Sequence, residues 1–396
     1  MKALNDNAHP LESLLQQHCP NGVEFKELGE VCETLPKGTL KTSQLTANGY
    51  PVINSGRDLY GYYSKFNNES NAFTIAARGE YAGFVNFMDS KFWAGGLCYP
   101  YRSNDENKLL TKFIYYHLKT NESNIMDSLV ARGSIPAINK KDIDKKLKIP
   151  LPPLEIQYKI VEILDAFTEL QAELQAELHA RRKQYEYYRN KLLSFEELQR
   201  RTDMLNGGGL KLVTLGELGK RNAGTKITAN QMQALHKENA PIRIFAGGST
   251  IADVDYRDLP KKDVIDKPSI ICKARGYIGF EYYDKPFSHK SEFWSYTIEK
   301  NANQKFIYYF LVNQQEYFQQ IAKANSVKIP QLKVKNTDNF QISLPPLVVQ
   351  NDIVELLDKF DTLTNDLTSG IPAEIEARKK QYEYYRERLL SFIAKD

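Results

Sequence analysis

The sequence predicts an α+β protein built as an internal repeat: two mixed, strand-rich globular regions, each followed by a long helix. Three observations carry this prediction. Residues 149–195 return at 342–392, with Leu151-Pro152-Pro153-Leu154 matching Leu344-Pro345-Pro346-Leu347 at an offset of 193 and the run QYEYYR at 184–189 matching 381–386 at an offset of 197. In both copies apolar residues recur at steps of three and four, the spacing of a coiled-coil stripe. Outside them lie short β-branched or aromatic runs broken by Gly, Asn and Asp, the texture of strands and turns.

The first globular region is assigned to residues 1–148. A short amphipathic piece at 11–17 precedes the run GVEFKELGEV at 22–31, which opens the globule. Residues 51–55 and 72–76 read as strands and 113–118 as a helix. A spacer helix follows within 149–205. Pro152 and Pro153 cannot sit inside a helix and mark its start. Its stripe runs through Ile160, Ile163, Phe167, Leu170, Leu174, Leu178, Arg181, Tyr185, Tyr188, Leu192 and Phe195, with a stutter where Leu170, Leu174 and Leu178 are each four apart. The 41 residues from Glu155 to Phe195 make a rod of roughly 60 Å, which needs a partner helix to bury its stripe.

Gly207-Gly208-Gly209 reads as a flexible joint into the second globule, residues 206–341, which opens on GLKLVTLGEL as the first opens on GVEFKELGEV. The two globules share further landmarks. Ala77-Arg78-Gly79 matches Ala274-Arg275-Gly276, Phe92-Trp93 matches Phe293-Trp294, and Ile135-Pro136 matches Ile329-Pro330. Residues 242–246 and 269–272 read as strands, 306–312 as a helix. The second rod lies in 342–396, its stripe expected at Ile353, Leu356, Phe360, Leu363 and Leu367, then Tyr382, Tyr385, Leu389 and Phe392. Four extra residues fall between Leu367 and Ala377, where Ser369-Gly370-Ile371-Pro372 should kink or restart the helix.

A chain of 396 residues with 42% hydrophobic content can bury several cores. The net charge of +4 is uneven: residues 206–341 carry +7 (20 basic, 13 acidic) and residues 1–148 carry +2 (18 basic, 16 acidic), whereas the two rods are acidic. A basic bias outside the rods points towards a polyanion partner. Cys19, Cys32, Cys98 and Cys272 are scattered and read as buried thiols rather than a disulfide or zinc framework. No secretory signal and no apolar run near 18 residues is found, so a soluble cytoplasmic protein is expected.

No catalytic constellation emerges. The phosphate loop and the dinucleotide fingerprint are missing, and Leu-Pro-Pro-Leu lacks the polar residue with which an amino-methyltransferase holds its target amine. His9, His18, His117, His179, His236 and His289 have no metal-ligand spacing. The paired tyrosines and the Phe-Trp pairs read as packing residues. Arg78-Gly79 and Arg275-Gly276 suit loops that approach a phosphate or a guanine edge.

The LPPLEIQ start and the QYEYYRNKLLSF close, each present twice around diverged globules, resemble the specificity subunit of a type I restriction–modification enzyme. The resemblance spans the chain. It implies that each globule is a target-recognition domain reading one half of a bipartite, asymmetric double-stranded DNA site. It implies that the two helices pair antiparallel as a spacer and dock two modification (methyltransferase) subunits. Motor-nuclease restriction subunits complete the complex. The chain itself is then no enzyme and holds no cofactor, S-adenosylmethionine belonging to the methyltransferase subunit. A coiled-coil interaction scaffold that does not read DNA is the alternative.

On this reading the candidates for DNA contact are Arg57, Lys65, Arg78, Arg102, Arg132, Lys140 and Lys141 in the first globule. In the second they are Arg221, Lys226, Arg243, Arg257, Arg275, Lys290 and Lys328. Leu170, Leu174, Leu178, Tyr185, Tyr188, Leu192, Leu363, Leu367, Tyr382, Tyr385 and Leu389 are the candidates for spacer pairing and docking.

Overall fold

Prolines set where the long helices begin. A computed structural model describes residues 19–205, 209–248, 250–299, 302–326, 328–392 and 394; the amphipathic piece expected at 11–17 and Gly207-Gly208 of the joint lie outside them. The principal helices are α1 (Thr111–Thr120), α2 (Leu154–Leu192), α3 (Gln304–Asn313), α4 (Leu347–Asn365) and α5 (Ile371–Leu390). Both α2 and α4 start directly after a Pro-Pro pair. α2 runs unbroken for 39 residues, about 58 Å.

The second rod is broken where the sequence predicts. It stops at Asn365 and restarts at Ile371, with Pro372 in the first turn of α5, where a missing N–H costs no helical bond. Asp366 holds the break: its carboxylate accepts bonds from Ser369 Oγ (2.6 Å), Thr368 Oγ1 (2.6 Å) and the Thr368 N–H (2.7 Å). These donors pull its pKa down to about 2. Gly370 is required there, because a Cβ would lie 2.3 Å from the Thr362 carbonyl oxygen.

The chain divides into two compact units. The first comprises residues 1–175 with 374–396. Its strands are β1 (Phe25–Glu27), β2 (Cys32–Thr34), β3 (Ala72–Ala76), β4 (Val85–Met88), β5 (Cys98–Ser103) and β6 (Lys148–Pro150). β1 pairs antiparallel with β6 and so ties the start of the globule to the residues that lead into α2. An antiparallel sheet runs in the order β2-β5-β3-β4, with Phe73 opposite both Tyr101 and Phe87. A smaller mixed sheet joins Tyr50–Ile53 antiparallel to Gly61–Tyr63 and parallel to Trp93–Ala94. The core takes Phe73, Tyr101, Phe113 and Ile114 from the globule, Ile156, Ile160 and Leu164 from α2, and Leu389 and Leu390 from α5. Phe167 packs on Tyr382 (6.0 Å between ring centroids) and Tyr385 (5.5 Å), so α2 and α5 run antiparallel within this unit.

The second unit comprises residues 176–373 and repeats the design. Its strands are β7 (Lys211–Thr214), β8 (Gly219–Ala223), β9 (Ser269–Lys273), β10 (Gly279–Tyr283), β11 (Trp294–Ile298) and β12 (Gln341–Leu344). β7 pairs antiparallel with β12, and an antiparallel sheet runs β8-β11-β9-β10. The mixed sheet joins Ile242–Phe245 antiparallel to Ile251–Val254 and parallel to Phe287–His289. Tyr185 and Leu192 of α2 share a core with Val349, Ile353 and Leu357 of α4, antiparallel again. Tyr185 and Tyr188 stack on Phe360, at 6.2 and 5.5 Å. Contacts therefore group each globule with segments of the rods, because the apolar stripes and the globular cores are continuous. The expected division at 148, 205 and 341 instead follows the chain path.

One expected stripe is shifted. On α4 the buried face runs Ile353, Leu357 and Thr364, with Phe360 half-buried, whereas Leu356, Leu363 and Leu367 are exposed. Steps of 3-4-3 and 4-3-4 fit the same residues, and the structure takes the second. Leu367, 79% exposed, also lies past the end of α4, in the break. Of the stripe expected on α2, Ile160, Leu178, Tyr185 and Leu192 are buried and Ile163, Phe167, Leu170, Leu174 and Arg181 half-buried. Tyr188 and Phe195 are exposed, Phe195 lying past the end of α2. Leu164, outside the expected stripe, is buried instead of Ile163.

Candidate nucleic-acid interface

Each globule carries the same loop tip. The first follows β3, where Gly79 takes φ +101°, a conformation that favours glycine. No atom lies within 4 Å of a Cβ built there, so the backbone angle rather than crowding calls for glycine. The Gly79 N–H donates to the Pro136 carbonyl oxygen at 2.9 Å, and Arg78 bridges to Ala137 through the backbone. The second tip follows β9: Gly276 takes φ +79°, its N–H donates to the Pro330 carbonyl oxygen at 2.8 Å, and Arg275 bridges to Gln331. Arg78 and Arg275 are exposed, as are Ile135 and Ile329, each one residue before the proline that accepts the glycine N–H. Neither guanidinium has a side-chain hydrogen bond or ion pair among the described residues. An exposed cation, unengaged by its own protein, is available to a polyanion.

Several other candidates have partners inside the protein. Arg102 donates to the carbonyl oxygens of Asn71 (3.2 Å), Ser70 (2.9 Å) and Glu69 (3.4 Å), fastening the loop before β3. Arg243 makes a two-pronged bridge to Asp253 (2.8 and 3.0 Å), which holds that carboxyl below its usual range. Lys140 pairs with Asp144, Lys290 with Glu292, Arg132 with Asp127 and Arg257 with Asp255, and Arg221 sits 3.6 Å from Asp338. The more exposed of these pairs are weak and can be exchanged for a phosphate. Lys65, Lys141, Lys226 and Lys328 are exposed without such side-chain partners among the described residues, and Arg57 lies 5.9 Å from the Phe84 ring centre. An open cleft of about 1080 Å³ in the second unit brings Arg221 and Lys226 together with Lys220, Lys262 and Lys267, among Asp258, Asp263 and Asp266. The structure thus groups two of the candidates in one cleft and puts two at matching tips.

Two polar residues of each rod were not singled out by the sequence reading. The fully buried Gln157 side chain accepts from the Leu110 N–H (2.8 Å) and donates to the carbonyl oxygens of Pro152 (2.8 Å) and Lys108 (2.9 Å). Gln350, equally buried, accepts from the Asn303 N–H (2.8 Å) and donates to the Pro345 carbonyl oxygen (2.8 Å). Asp165 receives Lys112 Nζ (2.8 Å) and Tyr116 Oη (2.6 Å). Asp358 receives Lys305 Nζ (2.7 Å) and Tyr309 Oη (2.6 Å). Burial, then the bond to a carboxylate, pushes both phenols up. The signal was the constant offset of 193, overlooked because a polar residue on a long helix reads as a solvated face.

Among the described residues no group of His, Cys, Asp and Glu is placed to hold a metal ion, and no helix is long and apolar enough to cross a membrane.

The family model described as type I restriction modification DNA specificity domain matches residues 20–181 and again 208–377. The chain is 32% identical over 398 residues to the specificity subunit of the type I restriction enzyme EcoR124I/EcoR124II of Escherichia coli, covering 93% of this chain and 94% of that one. The crystal structure of the S subunit of a type I restriction–modification system from M. genitalium has a similar fold, with a TM-score of 0.67 at 20% identity over 99% of both chains. A chain from a structure addressing complex assembly and conformational transition of the type I R-M system aligns with a TM-score of 0.54 at 16% identity, over 94% of this chain and 98% of the other.

Proposed function

The chain belongs to the type I restriction–modification DNA specificity family, and from that premise we propose that it is the DNA-reading subunit of such a complex. Each globule reads one half of a bipartite, asymmetric double-stranded site, and the paired rods set the gap between the halves. The observation that carries this reading is the duplication itself: two globules of one topology, diverged in their loops, each sharing a core with helices that repeat the same opening and closing motifs.

The subunit has no chemistry of its own on this reading. Two modification subunits dock on the rods near Arg181, Arg182 and Lys183 and their copies Arg378, Lys379 and Lys380. They bring S-adenosylmethionine, and a motor-nuclease subunit completes the restricting complex in the cytoplasm. Arg78 and Arg275 are phosphate contacts. Readers of different half-sites share them, and a phosphate carries no sequence information.

Mapping methylated sites in a host carrying this chain with its modification subunits tests the reading. A split site is expected, and exchanging residues 1–148 for those of a relative changes one half only. If both halves moved together, or no split site were found, the two-reader reading would be wrong.

A further inference from the structure

Each globule is fastened to the rod that follows it by two polar anchors, and the anchors recur at the same spacing in both units. Gln157 and Asp165 of α2 hold the residues leading into α1 and the face of α1 itself, through Leu110 and through Lys112 with Tyr116. Gln350 and Asp358 of α4 hold α3 in the same way, through Asn303 and through Lys305 with Tyr309. Every member of the second set stands 193 residues after its counterpart, Asn303 after Leu110 included.

The contact continues into the sheet. Lys112 Nζ lies 5.3 Å from the Phe87 ring centre on β4, and Lys305 Nζ lies 5.6 Å from that of Tyr282 on β10. Sheet, helix and rod are thus connected through one lysine in each unit.

The geometry is that of a two-point mount. Eight helical residues separate the anchors by about 12 Å along the axis and about 80° around it. A single polar contact on an apolar interface would leave the globule free to roll about the rod, because apolar packing is non-directional. Two contacts that differ in height and in azimuth remove the roll. The lysine–carboxylate bonds, at 2.7–2.8 Å, are the directional, charge-assisted kind.

We propose that these paired anchors fix the rotational phase of each reader on its rod, so that Lys112, Tyr116 and Asp165, with Lys305, Tyr309 and Asp358, are positioning residues for the gap between half-sites without touching DNA. The proposal rests on the bipartite reading above. A neighbouring base pair is rotated by about 34°. A reader that can roll through that angle accepts sites whose gap is one base pair longer or shorter.

The test uses the complete complex with its modification subunits, carrying Asp358→Asn or, as the milder change, Tyr309→Phe. Methylated sites are mapped genome-wide and sorted by gap length. The unaltered complex is expected to methylate one gap length. Both variants are expected to raise methylation at gaps one base pair longer or shorter from background to at least a tenth of that at the original gap, with half-site bases unchanged. A purely structural role lowers methylation at the original gap without opening new ones, and that outcome in Tyr309→Phe overturns the proposal, as does an unchanged gap distribution. Altered half-site bases overturn it as well. If Asp358→Asn does not assemble, Tyr309→Phe decides alone. If the unaltered complex shows no split site, the bipartite reading fails and takes this proposal with it, so the two failures are distinguishable.

Discussion

Replacing Gln157 with leucine isolates one anchor with little change of volume. The substitution removes three hydrogen bonds, two of them in fully buried surroundings, and strands the Leu110 N–H and the Pro152 carbonyl. A stranded buried donor or acceptor costs about 1–3 kcal/mol. Lys108 is exposed, so its carbonyl can turn to water. The leucine recovers roughly 1 kcal/mol by burying more apolar surface. The expected net loss is therefore about 3 kcal/mol, confined to the first unit. The two tryptophans make it measurable unit by unit, since Trp93 belongs to the first and Trp294 to the second. In a Trp294→Phe background, urea unfolding followed by Trp93 fluorescence should show the loss as a lower midpoint at constant slope. In a Trp93→Phe background, Trp294 should report little change. A first-unit loss below 1 kcal/mol would refute the reasoning, because it would mean that water or a relaxed backbone already satisfies those groups.

Deleting residues 175–178, one of two tandem Gln-Ala-Glu-Leu units, shortens α2 by about 6 Å and rotates it by about 40° beyond a full turn, against about 34° per base pair. The gap should shrink by one base pair with both half-sites kept, as read from methylated-site sequencing. Arg78→Ala and Arg275→Ala should each weaken DNA binding evenly across sequences and lower the slope of log affinity against log salt by about 1, in a salt titration of the complex. His289 is fully buried, and burial depresses it from 6.5 to about 4. Its neutral form belongs to the folded state, so its contribution is complete above pH 6.5 and fades as the unfolded chain takes up the proton between 6.5 and 4. The second unit should lose roughly 2 kcal/mol between pH 7 and pH 5 through this group, seen by Trp294 fluorescence and much reduced in His289→Gln.

The parts of the fold readable in the sequence are those with a period or a punctuation mark. Pro152-Pro153 and Pro345-Pro346 mark the rod starts, Gly370 and Pro372 the break, and Tyr185, Tyr382 and Tyr385 lie between helices as their spacing requires. Strands such as Ala72–Ala76 and Ser269–Lys273 were legible because they are short buried runs of β-branched and aromatic residues. The phase of α4 was not, since a stripe defined by threes and fours has two solutions and only the opposing surface chooses. Three-residue strands such as Cys32–Thr34 carry too few residues to show alternation. Of the candidate site, the matching Arg-Gly tips were legible from their repetition. That Arg102 and Arg243 are spent on the Asn71 loop and on Asp253 depends on neighbours 31 and 10 residues away in the chain, which spacing cannot show.

The break after α4 gives the two rods different mechanical characters. α2 is a single spar: any residue added within it advances everything beyond by 1.5 Å and 100°. The other rod has a splice at 366–370, where Thr368, Ser369 and Leu367 are exposed and the turn is closed by one aspartate and one glycine. Length added there enters a loop, and the stripes on either side, from Ile353 to Thr364 and from Tyr382 to Leu389, keep their own registers. A length change written into α2 therefore has a natural place for its compensation, an expansion joint on the opposite member, and Leu367, exposed and outside the bonds that close the turn, is where a label can be carried without re-phasing either helix.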